Sequence, residues 1–113
     1  MTMVKRPWGS YIIMDTGKGF QVKRIEVDPG KRLSLQSHRL RAEHWFAVSG
    51  SGHIDVGDNN IQFRKGECVN VPVGVKHRIS NTSDSTLVII EIQTGTAFDE
   101  GDIVRYDDDF GRN

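Results

Sequence analysis

Residues 30–50 of the chain read GKRLSLQSHRLRAEHWFAVSG, and residues 66–81 read GECVNVPVGVKHRISN. Each segment begins with glycine, and together they carry imidazole, carboxylate and side-chain amide groups, which are groups that hold divalent cations. Gln36 and His38 are two residues apart, so on a strand their side chains project from the same face. This spacing predicts a metal site built on short strands.

Glu43 and His77 complete the candidate set of metal ligands. Glu43 follows His38 after a gap short enough for a tight turn into the next strand. His77 follows a turn signal at residues 72–74 that directs the chain back toward the sheet. The set carries one negative charge, so a bound dication would keep a net positive charge and open positions for substrate or water. The ligand types alone fit zinc, manganese, iron, cobalt or nickel.

The two segments resemble the two cupin motifs, commonly written G-x5-H-x-H-x3,4-E-x6-G and G-x5-P-x-G-x2-H-x3-N. Every fixed position is met except at Gln36, where most cupins have histidine. With this glutamine, residues 34–45 resemble the S-L-Q-x-H-x-x-R-A-E-H-W segment of type II phosphomannose isomerases, the cupin domain of bifunctional mannose-6-phosphate isomerase/mannose-1-phosphate guanylyltransferases. Further stretches similar to this family are residues 6–11, 90–95, 102–105 and 109–112.

The resemblance implies a metal-dependent aldose–ketose isomerase that interconverts mannose-6-phosphate and fructose-6-phosphate. It points to zinc as the divalent ion. The reaction moves a proton between C1 and C2 through a cis-enediol, whose negative charge a metal ion stabilises. Small cupins commonly pair, and residues 6–14 offer an apolar strand to a neighbour's sheet edge, so we expect a homodimer.

Two other functions stay open at this point. One is a different cupin enzyme, such as an epimerase or an iron or nickel dioxygenase, although the oxygenase ligand set has three histidines and Gln36 breaks it. The other is a non-catalytic or differently specialised metal-binding cupin that binds a phosphosugar or another small carbohydrate. Nothing in the 113 residues resembles the glycine-rich loop of a nucleotidyltransferase, so we expect no guanylyltransferase domain here.

An isomerase also needs a base for the carbon-bound proton and cations for the phosphate. Candidate phosphate binders are Lys23, Lys31 and Arg105, with Arg6 and Arg41 as lesser options. Glu91 lies mid-strand in an apolar stretch, where an unpaired carboxylate is costly. It is a candidate base, a partner of a ligand histidine or half of a buried ion pair. We assign catalytic roles to Arg105, Lys23 and Glu91, and substrate contacts to Ser34, Lys31 and Arg41.

The remainder of the chain is rich in strand signals. Gly, Pro, Asn and Asp separate the runs, which favours an antiparallel sandwich or barrel. The resemblance narrows this to an all-β, antiparallel, single-domain cupin over residues 1–113, a jelly-roll β-barrel. We expect one short helix around residues 100–104. Short apolar or alternating runs occur at residues 11–14, 20–27, 45–48, 53–56, 61–63, 68–71, 77–81 and 86–93.

The composition argues against several partners. Fifteen basic and fifteen acidic residues give a formal net charge of zero, so no global field favours nucleic acid or membranes. No apolar run approaches the roughly 20 residues of a membrane span. The start lacks the apolar stretch of a secretory signal, and Cys68 is the single cysteine, which fits a reducing compartment. We therefore expect a cytoplasmic protein, and the family resemblance implies a phosphosugar as its small-molecule partner.

Several conspicuous side chains are expected to be structural. Cys68 lies in an alternating run, where a free cysteine usually behaves as a small buried hydrophobe. His44 should face away from the candidate ligands, and His53 lies in a hairpin that we expect to be exposed. Trp8 and Trp45 are expected to pack in the core or at a subunit interface rather than to stack on a sugar.

Overall fold

The computed structural model describes residues 2–112, which are organised as short strands joined by tight turns. Their only helical element is a single 3-10 turn at Glu100–Asp102. The strands are β1 (Met3–Arg6), β2 (Gly9–Gly17), β3 (Phe20–Val27), β4 (Leu35–Ser37), β5 (Arg41–Ser49), β6 (Ser51–Val56), β7 (Asn59–Arg64), β8 (Cys68–Val71), β9 (His77–Ser80), β10 (Leu87–Gly95) and β11 (Val104–Asp107).

Two antiparallel sheets make up the fold. The six-stranded sheet has the order β1-β2-β3-β10-β5-β8, and the five-stranded sheet has the order β11-β4-β9-β6-β7. This arrangement confirms the expected all-β, antiparallel jelly roll of cupin type. The sheets form a sandwich rather than one closed barrel, because β8 and β7 end their sheets as edge strands instead of pairing across.

The interior changes character along the central strands. On β10 the inward side chains are first apolar, at Leu87 and Ile89, and then polar, at Glu91 and Gln93. Strand β5 runs antiparallel to β10 and shows the same change one inward position further along, at Glu43, since Trp45 lies opposite Glu91. One end is therefore a hydrocarbon core. At the other end, buried polar groups need hydrogen-bond partners, a ligand or both.

A hydrogen bond from a tight turn in the second motif segment links it to the first segment. Gly74 has φ +80°, a conformation that L residues rarely adopt, and its N–H donates to the carbonyl oxygen of His38 at 2.8 Å. At the far end of the second segment, Asn81 is 1% exposed and donates through Nδ2 to the carbonyls of Val27 and Ser85. Gly74 and Asn81 of the second motif therefore stabilise the local backbone conformation and are not part of the ligand set.

One local expectation is met in part and another was wrong. The short helix expected around residues 100–104 is present as the 3-10 turn at Glu100–Asp102, and it ends there because the chain enters β11 at Val104 and pairs with β4. Cys68 is exposed rather than buried, because it lies across from the outward-facing Phe46 in the β5–β8 register. Within residues 2–112, no helix is long and apolar enough to span a membrane.

Candidate metal centre

Three ionisable side chains from separate segments converge at the polar end of the sandwich. His38 follows β4, Glu43 lies on β5 and His77 begins β9. Their potential ligand atoms lie within 4.8 Å of one another, and all three residues are buried. Oε1 of Glu43 is 3.5 Å from Nε2 of His38 and 3.3 Å from Nε2 of His77. The strands thus bring these three candidate ligands to one point.

Backbone carbonyls determine which nitrogen of each imidazole faces this point. Nδ1 of His38 is 3.2 Å from the carbonyl oxygen of Asp102, and Nδ1 of His77 is 3.0 Å from that of Val75. A carbonyl only accepts hydrogen bonds, so each Nδ1 carries the proton. With Nδ1 protonated, each Nε2 is free to bind a cation beside Oε1 of Glu43 or, when no cation is bound, to carry a proton that Oε1 accepts. Two imidazole nitrogens and one carboxylate oxygen fit a divalent cation.

Gln36 lies next to this cluster. In the β4–β9 register it is directly opposite His77, so the two side chains share a face of the sheet. It is half-buried and lines the same cavity as the three ionisable residues. The structure therefore brings the fourth candidate ligand to the site, and its coordination of a metal stays a prediction.

The second carboxylate oxygen of Glu43 is held by protein donors. Nε2 of Gln93 donates to Oε2 at 2.8 Å, and Nε of Arg41 donates to the same oxygen at 3.3 Å. Burial alone would raise the pKa of Glu43, but the two nearby imidazoles outweigh it and hold this pKa well below its ordinary value. The sequence analysis did not single out Gln93, although it noted the family-like stretch at residues 90–95 that contains it.

A cavity of about 70 Å³ opens above the cluster. Five basic and three acidic side chains line it, so its charge suits an anionic ligand. Trp8 and Trp45 also line it, while both are buried and belong to the hydrophobic core, as expected. The charged lining residues are Arg6, Lys23, Arg41, Arg105, Arg112, Glu43, Glu91 and Glu100.

Glu91, which is buried, and Lys23, which is half-buried, are neighbours in the cavity wall. They face each other in the β3–β10 register, and Glu91 is 4% exposed and accepts a hydrogen bond from Nε1 of Trp45 at 2.8 Å. Burial, with the charge of Glu43, raises the pKa of Glu91 to about 8. Burial also lowers the pKa of Lys23, whose Nζ lies 4.3 Å from the centre of the Tyr11 ring. Glu91 can therefore exchange a proton near neutral pH.

Arg105 and Ser34 carry polar atoms without partners. Ser34 is fully buried, and its Oγ has no hydrogen-bond partner among the described residues. Nε of Arg105 is likewise buried without a partner, and none of the ion pairs within residues 2–112 includes Arg105. Both residues line the cavity. Such unsatisfied donors are expected where a ligand completes the hydrogen bonding.

The other candidate substrate contacts are placed differently. Lys31 does not line the cavity: it is exposed at the turn after Gly30, so the expectation that it binds substrate is not supported by its position. Arg41 lines the cavity, but besides Glu43 it already donates to the carbonyl oxygen of Asp99 at 2.9 Å. Arg6 pairs with Glu100 at the rim. His44 faces outward as expected, whereas His53 is half-buried rather than exposed.

Comparison with known proteins places this geometry in context. A family model described as "Mannose-6-phosphate isomerase C-terminal" matches residues 1–108. The chain is 47% identical over 109 residues to the xanthan biosynthesis protein XanB of Xanthomonas campestris pv. campestris, an alignment that covers 96% of this chain and 23% of that protein. It is 44% identical over 110 residues to a mannose-1-phosphate guanylyltransferase of Salmonella montevideo, with 97% of this chain and 23% of that protein covered.

A solved structure shares the fold. The capsular polysaccharide assembling protein CapF of Staphylococcus aureus is 27% identical and superposes with a TM-score of 0.80, over 94% of this chain and 32% of that chain. The chain thus spans about a quarter of the length of the curated relatives named above.

Proposed function

Because the chain belongs to the mannose-6-phosphate isomerase C-terminal family, we propose that it is a metal-dependent isomerase that interconverts mannose-6-phosphate and fructose-6-phosphate. The observation that carries this proposal is that one cavity holds both a cluster of potential metal ligands and a basic side chain without an ionic partner. An isomerase of a phosphorylated sugar needs both, one for the reacting carbons and one for the phosphate.

The metal is proposed to be a single zinc ion, held by His38, Glu43 and His77 with Gln36 as the fourth ligand. When bound, it would polarise the carbonyl and hydroxyl groups at C1 and C2 and stabilise the negative charge of the enediol. An amide oxygen is neutral and a weaker donor than imidazole, so this ligand set would leave more Lewis acidity for the substrate than three histidines would.

Arg105 is proposed to bind the phosphate, with Ser34 as a second donor. The registers place Arg105 opposite Gln36 and Gln36 opposite His77, so Arg105 lies two strand spacings from the ligand histidine. At about 4.8 Å per spacing this is roughly 10 Å, which suits a sugar phosphate bound with its phosphate at one end and its reacting carbons at the other. A guanidinium is suited to bidentate phosphate recognition.

Glu91 is proposed to carry the proton between C1 and C2. A base works best when its pKa lies near the operating pH, and the pKa of Glu91 is about 8. Lys23 lies opposite Glu91 in the register, and its positive charge supports the ionised form of that carboxyl group. A carboxylate that gains and loses a proton near neutrality can take the proton from one carbon and return it to the other.

A coupled isomerase assay on the purified chain tests this proposal. Turnover of mannose-6-phosphate should disappear on chelation, return with zinc, and fall strongly in Glu91→Gln without loss of metal. If the metal-loaded chain binds mannose-6-phosphate but does not turn it over, the alternative applies: a non-catalytic cupin that binds a phosphosugar. If neither binding nor turnover is seen, the substrate assignment is wrong.

The proposal extends to the assembly and location of the protein. β1 is an edge strand of the six-stranded sheet. Exposed apolar side chains lie on this strand, at Met3, and on the neighbouring β2, at Ile13 and Met14. A second copy could pair with this edge and cover those side chains, so we expect a homodimer. The expected location stays the cytoplasm, where phosphorylated sugars are metabolised.

A further inference from the structure

We infer that Gln93 and Gln21 are positioning residues that hold Glu43 so that it binds a metal through one oxygen, Oε1. This inference rests on the proposed metal site, and it concerns residues to which the sequence analysis gave no role. It arises from a chain of side-chain amides that ends on the oxygen of Glu43 facing away from the histidines.

The chain of hydrogen bonds crosses three adjacent strands. Gln21 on β3 lies opposite Gln93 on β10, and Gln93 lies opposite Glu43 on β5. Nε2 of Gln21 donates to Oε1 of Gln93 at 3.0 Å, and Nε2 of Gln93 donates to Oε2 of Glu43 at 2.8 Å. The three side chains are 8%, 1% and 5% exposed, so water does not replace these bonds.

The direction of this chain is determined by chemistry. A carboxylate only accepts hydrogen bonds, so Gln93 has to present its NH₂ group to Glu43. Its carbonyl oxygen then points toward Gln21, which has to donate. If the amide of Gln93 were rotated by half a turn, two acceptor oxygens would face each other in a buried site, which is costly. Gln21 therefore keeps Gln93 in the orientation that Glu43 needs.

The consequence is an asymmetric carboxylate. Oε2 accepts from Gln93 and also from Nε of Arg41, while Oε1 accepts from neither and lies within 3.5 Å of both histidine Nε2 atoms. With one oxygen occupied by donors, the other is left for a cation, so Glu43 is expected to bind in monodentate fashion. Because Gln93 is neutral, it orients the carboxylate without cancelling the negative charge that attracts the cation.

Titration of the metal-free full chain with Co²⁺ tests this inference. Gln93→Met keeps the size of the side chain but removes the donor, and Gln21→Met leaves Gln93 in place but removes its support. We expect Gln93→Met to bind Co²⁺ about tenfold or more weakly, and Gln21→Met to lie between it and the wild type. With Gln93 gone and only the longer 3.3 Å contact from Arg41 left, Oε2 should enter the coordination sphere, so the visible absorption of bound Co²⁺ should weaken as the coordination number rises.

Ile89→Val is the matched control. Ile89 is fully buried on the same strand but belongs to the apolar core, so the variant should lose thermal stability while keeping the Co²⁺ affinity and spectrum of the wild type. If Gln93→Met does not fold, the test relies on Gln21→Met, because Gln21 is 8% exposed and Gln93 only 1%.

Three outcomes overturn the inference. If wild type binds Co²⁺ and both glutamine variants match it in affinity and spectrum, the positioning role fails while the metal site stands. If Ile89→Val alters binding as much as the glutamine variants do, the effect is one of general stability. If the wild-type chain binds no Co²⁺, the metal site and the positioning role fail together.

Discussion

Arg105 lies directly opposite Gln36 in the register of β11 and β4, and its Nε is buried without a hydrogen-bond partner in the described part of the chain. Gln36 lies in turn opposite His77. A single cross-strand row therefore runs from a guanidinium with free donor capacity to the imidazole of a potential metal site. Gln36, the residue that departs from the common cupin motif, occupies the middle of that row.

Gln36→His should bind a metal ion more tightly but isomerise mannose-6-phosphate more slowly. An imidazole donates more strongly than an amide oxygen and would leave the ion less able to polarise the substrate. Competition with a chelator measures the metal affinity. Turnover of the metal-loaded chain measures the isomerisation rate separately. Unchanged or improved turnover would mean that the glutamine is incidental to the reaction.

His77→Ala should lose the metal with modest loss of fold. His77 contributes one of the three convergent ligand atoms, and its removal leaves a buried carboxylate and a single imidazole. Metal content by elemental analysis after dialysis, compared with circular dichroism, separates the two effects. The exposed His44→Ala is the control and should keep its metal. Equal metal content in the wild type and His77→Ala would contradict the ligand assignment.

Glu91 should make the metal-free protein less stable as the pH rises. Its pKa is raised from 4.5 to about 8 on folding, so the folded state binds this proton more tightly than the unfolded state does. The resulting stability is fully present below pH 4.5 and is lost as the pH rises through about 8. Lys23 offsets part of the penalty once the carboxyl group ionises.

Denaturant unfolding of chelated protein at roughly pH 5 and roughly pH 9 measures this loss. The side chain at position 91 in Glu91→Gln is neutral at both pH values. Between them, the free energy of unfolding should therefore fall by about 2 kcal/mol or more in the wild type beyond its fall in the variant. Glu67→Gln, at an exposed carboxylate, should follow the wild type. A parallel decline in wild type and Glu91→Gln would mean that Glu91 titrates alike in the folded and unfolded states.

The oligomeric state gives a further test. We expect light scattering at micromolar concentration to show a homodimer. Met3→Lys and Met14→Lys, which place charges on exposed apolar positions near the β1 edge, should shift it toward monomer. Val73→Lys, at an exposed apolar residue in a turn outside the strands, is the control. A wild-type monomer would refute the dimer, and dimers in both methionine variants would move the interface elsewhere.

The sequence predicted features that depend on neighbouring residues better than features that depend on pairing between distant strands. The bounds of β3 and β8 agree with their apolar runs, because alternation over such runs is a local property. The short strands β1 and β11 were not predicted, since each exists through pairing with a neighbour and carries charged residues.

The same distinction holds for the candidate site. His38, Glu43 and His77 occur at motif spacings, and the structure brings them together. Gln93 could not be assigned from its own sequence position, because its role depends on a register across three strands. Lys31 was chosen for its charge alone, and a turn places it in solvent.

Arg105→Ala should affect the phosphate far more than the fold. No ion pair in the described residues includes Arg105, and its Nε makes no hydrogen bond, so the substitution should change melting temperature and metal content little. Loss of a bidentate phosphate contact should lower kcat/KM for mannose-6-phosphate roughly a hundredfold, or about 3 kcal/mol. Free mannose, which lacks the phosphate, should be affected much less.

The pattern across variants identifies the cause. Arg105→Lys keeps the charge but not the planar fork of donors, so it should recover only part of the lost efficiency. Arg112 lines the same cavity but is bound to Asp108 at 2.8 Å, so Arg112→Ala should lower stability while preserving the preference for the phosphorylated sugar. If Arg105→Ala unfolds, Arg105 is structural. If it loses equal activity on both sugars, Arg105 acts at the reacting carbons, and phosphate binding passes to Lys23, a candidate cation that also lines the cavity.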